Sequence, residues 1–342
     1  MSNNSHDSEK KAVLVTGGAG YIGSHTVRAL VAAGEKVVVL DNLVYGHREA
    51  LEVSEGITFV EGDMGDRDFV ETVFSENDIG AVLHFAAYCY VGESVEEPIK
   101  YYDNNTAKPL VLLDAMRRHE VKRFILSSTC ATYGDPQYLP LDENHQQSPV
   151  NPYGWSKYML ERIIRDCGKA YGIQAVFLRY FNASGCASDG VIGEDHNPET
   201  HLIPLVLMAI KGERENITVF GTDWDTPDGT CVRDYIHVED LASAHISALG
   251  YLRGGGETIG VNVGTGTGVS VKQIIELAEE VTGKTVPVVY GERRAGDPSE
   301  LIAKPELVKE VLGWTAKHTE PRAMVESAWA WMSGPRSGRY PE

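Results

Sequence analysis

Positive charge is scarce in this 342-residue chain: 31 Lys and Arg stand against 49 Asp and Glu, for a formal net charge of −18. So acidic a chain favours solubility and does not attract nucleic acid or an anionic membrane surface nonspecifically. An anionic ligand would have to be met by local positive groups. No window approaches the ~20 consecutive apolar residues of a membrane span, and the first ten residues are polar, without the apolar stretch of a secretion signal. The expectation is a cytoplasmic protein with neither nucleic acid nor membrane as partner. Cysteine is sparse too: Cys89, Cys130, Cys167, Cys186 and Cys231 are scattered, with no C-x-x-C and no paired histidine spacing. That excludes the usual zinc patterns and argues against a disulfide framework, leaving reduced thiols and no metal as the expectation. Tandem repeats and low-complexity runs are also missing. Only the polar first ten residues and the Gly/Pro-rich end after Trp331 read as loosely held.

What is present is an alternation of short β-branched runs with helical patterns. Lys11 to Thr16 is a strand that runs into Gly17-Gly18-Ala19-Gly20-Tyr21-Ile22-Gly23, followed by a helical pattern through Gly34. Gly18-x-Gly20-x-x-Gly23 between a strand and a helix lets the backbone turn tightly, approach a pyrophosphate and aim a helix N-terminus at its charge. A second strand, Lys36 to Leu40, ends in Asp41, about 20 residues beyond the turn, where a carboxylate can accept from an adenosine ribose. An acid there favours NAD over NADP. Further strands cover Ile57 to Glu61, leading to Gly62-Asp63-Met64 with Asp63 placed for an adenine amino group, Ala81 to Ala87, and Arg123 to Ser127, with a helix from about Tyr101 to His119. Strands spaced by helices indicate a doubly wound parallel sheet, with ligands at the carboxyl ends of its strands.

One such end carries Ser127-Ser128-Thr129-Cys130-Ala131-Thr132-Tyr133-Gly134, whose hydroxyls could hydrogen-bond a substrate alcohol. Shortly after comes Asn151-Pro152-Tyr153-Gly154-Trp155-Ser156-Lys157, which puts a phenol and an ammonium four residues apart on one face of a helix that is just beginning. An unperturbed tyrosine titrates near ~10, so it needs nearby positive charge to act as a base at neutral pH. Lys157 can supply it.

The chain resembles the extended short-chain dehydrogenase/reductases and, more narrowly, the UDP-glucose 4-epimerase family. The residues that carry the resemblance are Thr16 to Gly23, Asp41-Asn42-Leu43, Val91-Gly92-Glu93-Ser94, Tyr102-Asp103-Asn104-Asn105, Pro152-Tyr153-Gly154-x-Ser156-Lys157, Arg179-Tyr180-Phe181-Asn182, Val232-Arg233-Asp234-Tyr235-Ile236-His237 and Arg293-Arg294-x-Gly296-Asp297. The resemblance implies an α/β fold with a doubly wound parallel, Rossmann-type sheet and a smaller α/β substrate-binding domain. It divides the chain into an NAD-binding part, 11–181 plus about 236–263, and a nucleotide-sugar part, 182–235 and 264–335. It implies Tyr153, Lys157 and Thr129 as catalytic residues. NAD would be held by Gly17, Gly20, Tyr21, Ile22, Gly23, Asp41, Asn42, Asp63, Met64, Phe85, Ala86, Ala87, Asn105, Ser127 and Tyr180 together with Tyr153 and Lys157. A UDP-sugar would be met by Thr129, Tyr153, Asn182, His201, Leu202, Phe220, Arg233, Arg294 and Asp297, the arginines on the diphosphate and Asp297 on the uridine ribose.

The implied reaction interconverts UDP-galactose and UDP-glucose by transient oxidation at C4, with the cofactor recycled. A nucleotide-sugar 4,6-dehydratase shares the fold and the Tyr/Lys pair, but Thr129-Cys130-Ala131-Thr132 offers no carboxylate for elimination. An alcohol dehydrogenase that exchanges its cofactor and a silent NAD-binding protein are the other readings. Leu301 falls where side-chain size decides whether N-acetyl sugars enter, and pentoses such as UDP-xylose stay open. Cys89 stands where many relatives carry a lysine near the cofactor. A homodimer through the helices near 101–119 and 153–171 is expected by analogy. Less regular patterning follows Asn182, with a glycine-containing polar loop, a helix from about Leu202 to Lys211, a segment at Thr218 to Gly221, a helix from His237 to Leu252, and a strand Ile259 to Val263 that could rejoin the main sheet. Asp234, His237, Asp240 and His245 read as capping and core residues.

Overall fold

The computed structural model describes residues 11–294 and 297–341. The polar first ten residues and Gly296 of the Arg293 to Asp297 motif lie outside the described residues. In chain order the first half holds β1 (Ala12–Thr16), α1 (Tyr21–Ala32), β2 (Val37–Asp41), β3 (Thr58–Glu61), α2 (Arg67–Glu76), β4 (Ile79–His84), α3 (Val91–Glu96), α4 (Pro98–Tyr102), α5 (Pro109–Arg118), β5 (Arg123–Thr129), α6 (Pro152–Tyr171) and β6 (Gln174–Tyr180). The second half holds β7 (Asn182–Ser184), α7 (Leu202–Lys211), β8 (Ile217–Phe220), β9 (Val232–His237), α8 (Val238–Arg253), β10 (Ile259–Val263), β11 (Gly268–Ser270), α9 (Val271–Thr282), β12 (Val288–Gly291), β13 (Glu300–Leu301), α10 (Glu306–Leu312) and α11 (Pro321–Ser333).

Seven parallel strands in the order β10-β6-β5-β4-β1-β2-β3 form the main sheet, and β10 does rejoin it beside β6. Every residue of β1 and β2 is buried, as expected for strands covered on both faces. The period of two divides their side chains. Val13, Val15, Val37 and Val39 pack with Val27 and Leu30 of α1 and Leu241, Ala244 and Leu249 of α8. Leu14, Val38 and Leu40 go to the other face, against Val70 and Val73 of α2, Leu112 and Met116 of α5, and Leu160 and Ile164 of α6. The strand order reverses between β1 and β4, which opens a crevice at their carboxyl ends.

A second body of structure centres on β9, which pairs with β7 and β13 in parallel and β11 antiparallel, while β8 pairs with β12. Its core is Val206 and Leu207 of α7, Ile274 and Ile275 of α9, and Met324, Val325 and Trp331 of α11. The helix expected at 101–119 begins earlier, at Pro98, and is interrupted by a π-turn over Asp103–Ala107. Pro109 has no N–H to bond a carbonyl one turn back, and the wider turn, closed by Lys108 N–H on Asp103 O at 2.9 Å, absorbs the defect. The chain end is a correction: after Trp331 it is tied down rather than loose. Tyr340 is buried, its N–H donates to Asp195 Oδ2 (2.8 Å), its hydroxyl accepts from Gly193 N–H (3.1 Å), and its ring stacks on His47. Glycine and proline there mark turns around an aromatic anchor. All five cysteines are free, and among the described residues no helix is long and apolar enough to cross a membrane.

Candidate active site

Tyr153 and Lys157 lie in the first two turns of α6, which starts where the Asn151 side chain accepts from Gly154 N–H (2.8 Å) and Pro152 fills a position needing no N–H. Gly154 is required by proximity: a Cβ there would stand 2.5 Å from Ala131 O, so the helix start presses on the loop after β5. That contact brings the Tyr153 phenol near the Thr129 hydroxyl, which favours its ionised form. Thr129 is the last residue of β5, buried, its Oγ1 accepting from Ala131 N–H at 3.1 Å. Lys157 is buried and donates from Nζ to the Ser127 carbonyl (2.9 Å). The Ser127 hydroxyl is bonded in turn to that of Tyr180 on the neighbouring strand.

The electrostatics differ from expectation. Burial pushes the Tyr153 phenol well above its ordinary value, and the nearby Thr129 hydroxyl only partly opposes this. Lys157 is itself pulled down by burial, to about 8, and its ammonium is aimed at a β5 carbonyl rather than at the phenol.

Beneath β5 lies a buried ion pair that spacing alone did not suggest. Arg179 donates from Nε and Nη2 to the two carboxylate oxygens of Glu161 (3.0 and 2.6 Å), and Ser128 Oγ donates to the same carboxylate (2.6 Å). The signal available was an arginine inside an apolar strand and a glutamate one turn beyond Lys157.

The glycine turn joins β1 to α1. Gly17 has φ +73, and a Cβ on it would lie 2.4 Å from Ala86 N, so only glycine lets the tips of β1 and β4 close together. A Cβ on Gly23 would fall 2.1 Å from Gly17 O, which seats α1 on the turn. Gly20 is different: a side chain there would meet nothing nearer than Gly17 O at 3.4 Å. It caps α1 without a side-chain acceptor, and the first turn, with Tyr21 and Ile22, carries no acid. An open, uncapped, glycine-lined helix N-terminus fits the pyrophosphate of a dinucleotide. Asp41 braces the turn, its carboxylate accepting from Ala19 N–H and Leu43 N–H, both at 2.9 Å. Burial raises its pKa, and those bonds oppose the rise.

The other cofactor candidates sort by what holds them. Asp63 accepts from Lys108 Nζ (2.6 Å), Gly65 N–H (2.7 Å) and weakly from Asn42 (3.4 Å). Met64 is packed in the core with Leu40 and Val70. The Tyr21 side chain turns away from the glycines, its hydroxyl donating to Gly185 O. Phe85 packs on His245, and Ala86 N–H donates to Thr16 O (3.1 Å). Ala87 is half-buried beside it. Asn105, inside the π-turn, accepts from Tyr88 N–H (2.8 Å) and donates to Tyr88 O (2.9 Å) and Ser156 Oγ (3.1 Å), pinning the loop that carries the exposed Cys89 to α6.

On the second body, Arg294 pairs bidentately with Asp297 (2.9 and 3.0 Å) and its guanidinium lies 5.5 Å over the half-exposed Phe220 ring. Arg233, on β9, donates to Val232 O (2.8 Å) and reaches the site: its charge pulls back the Cys130 thiol, which burial pushes up to about 12. Leu301, opposite Arg233 in register, packs with Cys130, Tyr133 and Phe181. Asn182 opens β7, half-buried. His201 and Leu202 begin α7, and the His201 ring is engaged by Glu194 and Glu199. Asp234, His237, Asp240 and His245 do cap and brace: His237 caps α8, Asp234 accepts from Thr265 N–H and Gly266 N–H, Asp240 from Lys317 N–H and His318 N–H, and His245 bonds Leu241 O.

The arrangement combines a buried hydroxyl and a half-buried phenol beside a buried ammonium with a dinucleotide turn and an arginine-bearing second wall. The NAD dependent epimerase/dehydratase family profile matches residues 13–264. A UDP-glucose 4-epimerase of Streptococcus mutans serotype c is 52% identical over 324 residues, covering 94% of this chain and 97% of the relative. Among solved structures, UDP-glucose 4-epimerase from Brucella ovis in complex with NAD is 47% identical with a TM-score of 0.91, covering 93% of this chain and 97% of its own. UDP-glucose 4-epimerase from Bifidobacterium longum in complex with NAD+ and UDP is 38% identical with a TM-score of 0.91, covering 96% of this chain and all (100%) of its own.

Proposed function

This chain belongs to the NAD dependent epimerase/dehydratase family, and from that premise we propose that it is an NAD-dependent isomerase that interconverts UDP-galactose and UDP-glucose. The observation that carries the reading is the placement of Tyr153 and Lys157 on the first two turns of α6, against Thr129 at the end of β5 and next to the open glycine turn. Tyr153 takes the proton of the sugar 4-hydroxyl, and Thr129 holds that hydroxyl in line with the phenol. The glycine turn and Asp41 would hold NAD, which when bound would supply the hydride acceptor and donor for C4. Lys157 carries positive charge at neutral pH and lies one turn from Tyr153, so it favours the phenolate as the proton moves. Arg233, with Arg294 once it exchanges Asp297 for phosphate oxygens, holds the diphosphate, which anchors the nucleotide and leaves the hexose free to turn over.

The same reading assigns 11–181 plus about 236–263 to the cofactor and 182–235 and 264–335 to the nucleotide-sugar, in keeping with the separate core around α7, α9 and α11. It places the protein in the cytoplasm, where five free thiols persist. Val91, Val95, Ile99, Leu110, Trp155 and Met159 are exposed apolar residues on α3 to α6, and a homodimer through this face would cover them. The test is to incubate the purified protein with UDP-galactose, add no NAD, and follow the anomeric signals by NMR. Appearance of UDP-glucose is the expected result. No conversion in protein that still releases NAD on denaturation would overturn the assignment.

A further inference from the structure

We propose that Glu194, His196, Glu199 and His201 form a zinc site that ties the segment between β7 and α7 to the start of α7. Each residue offers one ligand atom, and the four atoms lie within 4.8 Å of one another. His196 Nδ1 is 3.1 Å from Glu194 Oε1 and 3.7 Å from Glu199 Oε2, while His201 Nδ1 is 2.6 Å from Glu194 Oε1 and 3.2 Å from Glu199 Oε1. Ligands at about 2.1 Å around a tetrahedral zinc ion stand about 3.4 Å apart, so three of these separations are near those of a four-ligand shell and the His201–Glu194 contact would open by about 0.8 Å.

Two atoms of the cluster point to a ligand independently. Glu194 Oε1 and His196 Nδ1 are buried and make no hydrogen bond of good geometry, although Glu194 Oε1 lies 3.1 Å from His196 Nδ1 and 2.6 Å from His201 Nδ1. The Glu194 side chain is 3% exposed. Buried polar atoms without partners are rare, because leaving one unmet costs about 1–3 kcal/mol. Two imidazoles and two carboxylates suit zinc, whereas magnesium and calcium favour shells of six or more oxygens. Two carboxylates also neutralise a divalent ion, which matters where water is excluded.

The placement indicates a structural role. His196 meets the rings of Tyr21 and Tyr90 edge-on at 6.1 and 6.3 Å, and His201 is the residue from which α7 starts. Four protein ligands leave no open position for a substrate. The Glu-x-His-x-x-Glu-x-His spacing contains no cysteine, so the patterns that argued against zinc do not cover it. The rival state is a pair of proton-bearing His–Glu ion pairs. A looser group, His237, Glu239 and His318, has its nearest ion-pair approaches at 3.3 to 4.0 Å only through Asp240 and Glu239, and it serves as the control.

The experiment measures metal content of the purified full-length protein by mass spectrometry, then strips it with a chelator and titrates it with zinc chloride and, separately, cobalt(II) chloride. Expected are about one zinc per chain, a higher melting temperature on adding zinc back, and the intense visible bands of four-coordinate cobalt. Glu199→Gln and His196→Gln should weaken zinc binding about 100-fold or more, and His318→Gln should leave it unchanged. Stripped wild-type protein that takes up no zinc, keeps its melting temperature and shows no visible cobalt bands would overturn the proposal without any variant having to fold. Loss of zinc in His318→Gln alone would also overturn it.

Discussion

Glu161 and Arg179 tie together three elements of the catalytic centre. Glu161 lies one turn beyond Lys157 on α6, Arg179 precedes Tyr180 on β6, and Ser128, which donates to Glu161, precedes Thr129 on β5. Their side chains are 2% and 4% exposed. Burial works against the Arg179 charge, yet the bonds from Glu161 outweigh it and hold the guanidinium above its ordinary value. Glu161→Leu therefore strands a buried cation, a loss of about 3–5 kcal/mol. With an unfolding entropy of about 2.1 cal/mol/K per residue over 342 residues, Tm should fall by about 4–7 °C. The double variant Glu161→Leu/Arg179→Met removes both charges and should recover at least half of that loss, because the pair's attraction largely offsets its own desolvation. Turnover of UDP-galactose should nonetheless fall about tenfold in both, since small misplacements of reacting groups are costly. Thermal unfolding of these two variants and of Arg179→Met alone gives the coupling energy directly. A single Glu161→Leu variant within about 0.5 kcal/mol of wild type would refute the reasoning, as would a double variant as unstable as the sum of its parts.

Tyr153→Phe keeps the ring and loses the proton acceptor, so kcat should drop about 10²–10⁴-fold with NAD content unchanged. More than a tenth of wild-type activity would remove Tyr153 from its role. Gly17→Ala puts a Cβ 2.4 Å from Ala86 N at φ +73, forcing the β1 and β4 tips apart. The purified variant should carry at least about tenfold less NAD, and one cofactor per chain would show that the turn is not the cradle. Lys157→Met addresses the buried ammonium, whose pKa falls from 10.5 to about 8. The folded wild type binds fewer protons than the unfolded chain between these values, so its stability rises with pH across that window and carries the full burial cost below it. Relative to wild type, the inactive Met variant should therefore be more stable at pH 7, by less than about 3 kcal/mol because the Ser127 bond is lost, and its advantage should shrink by pH 9.5. Urea unfolding of the pair at both pH values checks this, and an advantage independent of pH would contradict it.

Features whose causes lie within one element were readable beforehand. The buried β1 and β2, the glycine turn, α7 at Leu202–Lys211 and β10 at Ile259–Val263 all follow from local periodicity and turn chemistry. What escaped depends on partners far along the chain. The end after Trp331 looked loose because glycine and proline are turn residues, but Gly193, 147 positions before Tyr340, supplies its anchor. Asp63 looked free for a cofactor, and Lys108 on the far side of β4 already pairs with it. The same limit applies to the central pair. Spacing puts the Lys157 ammonium on the Tyr153 face, but a carbonyl 30 positions earlier decides where it points. Burial leaves the phenol harder to ionise than its neighbour in sequence suggests.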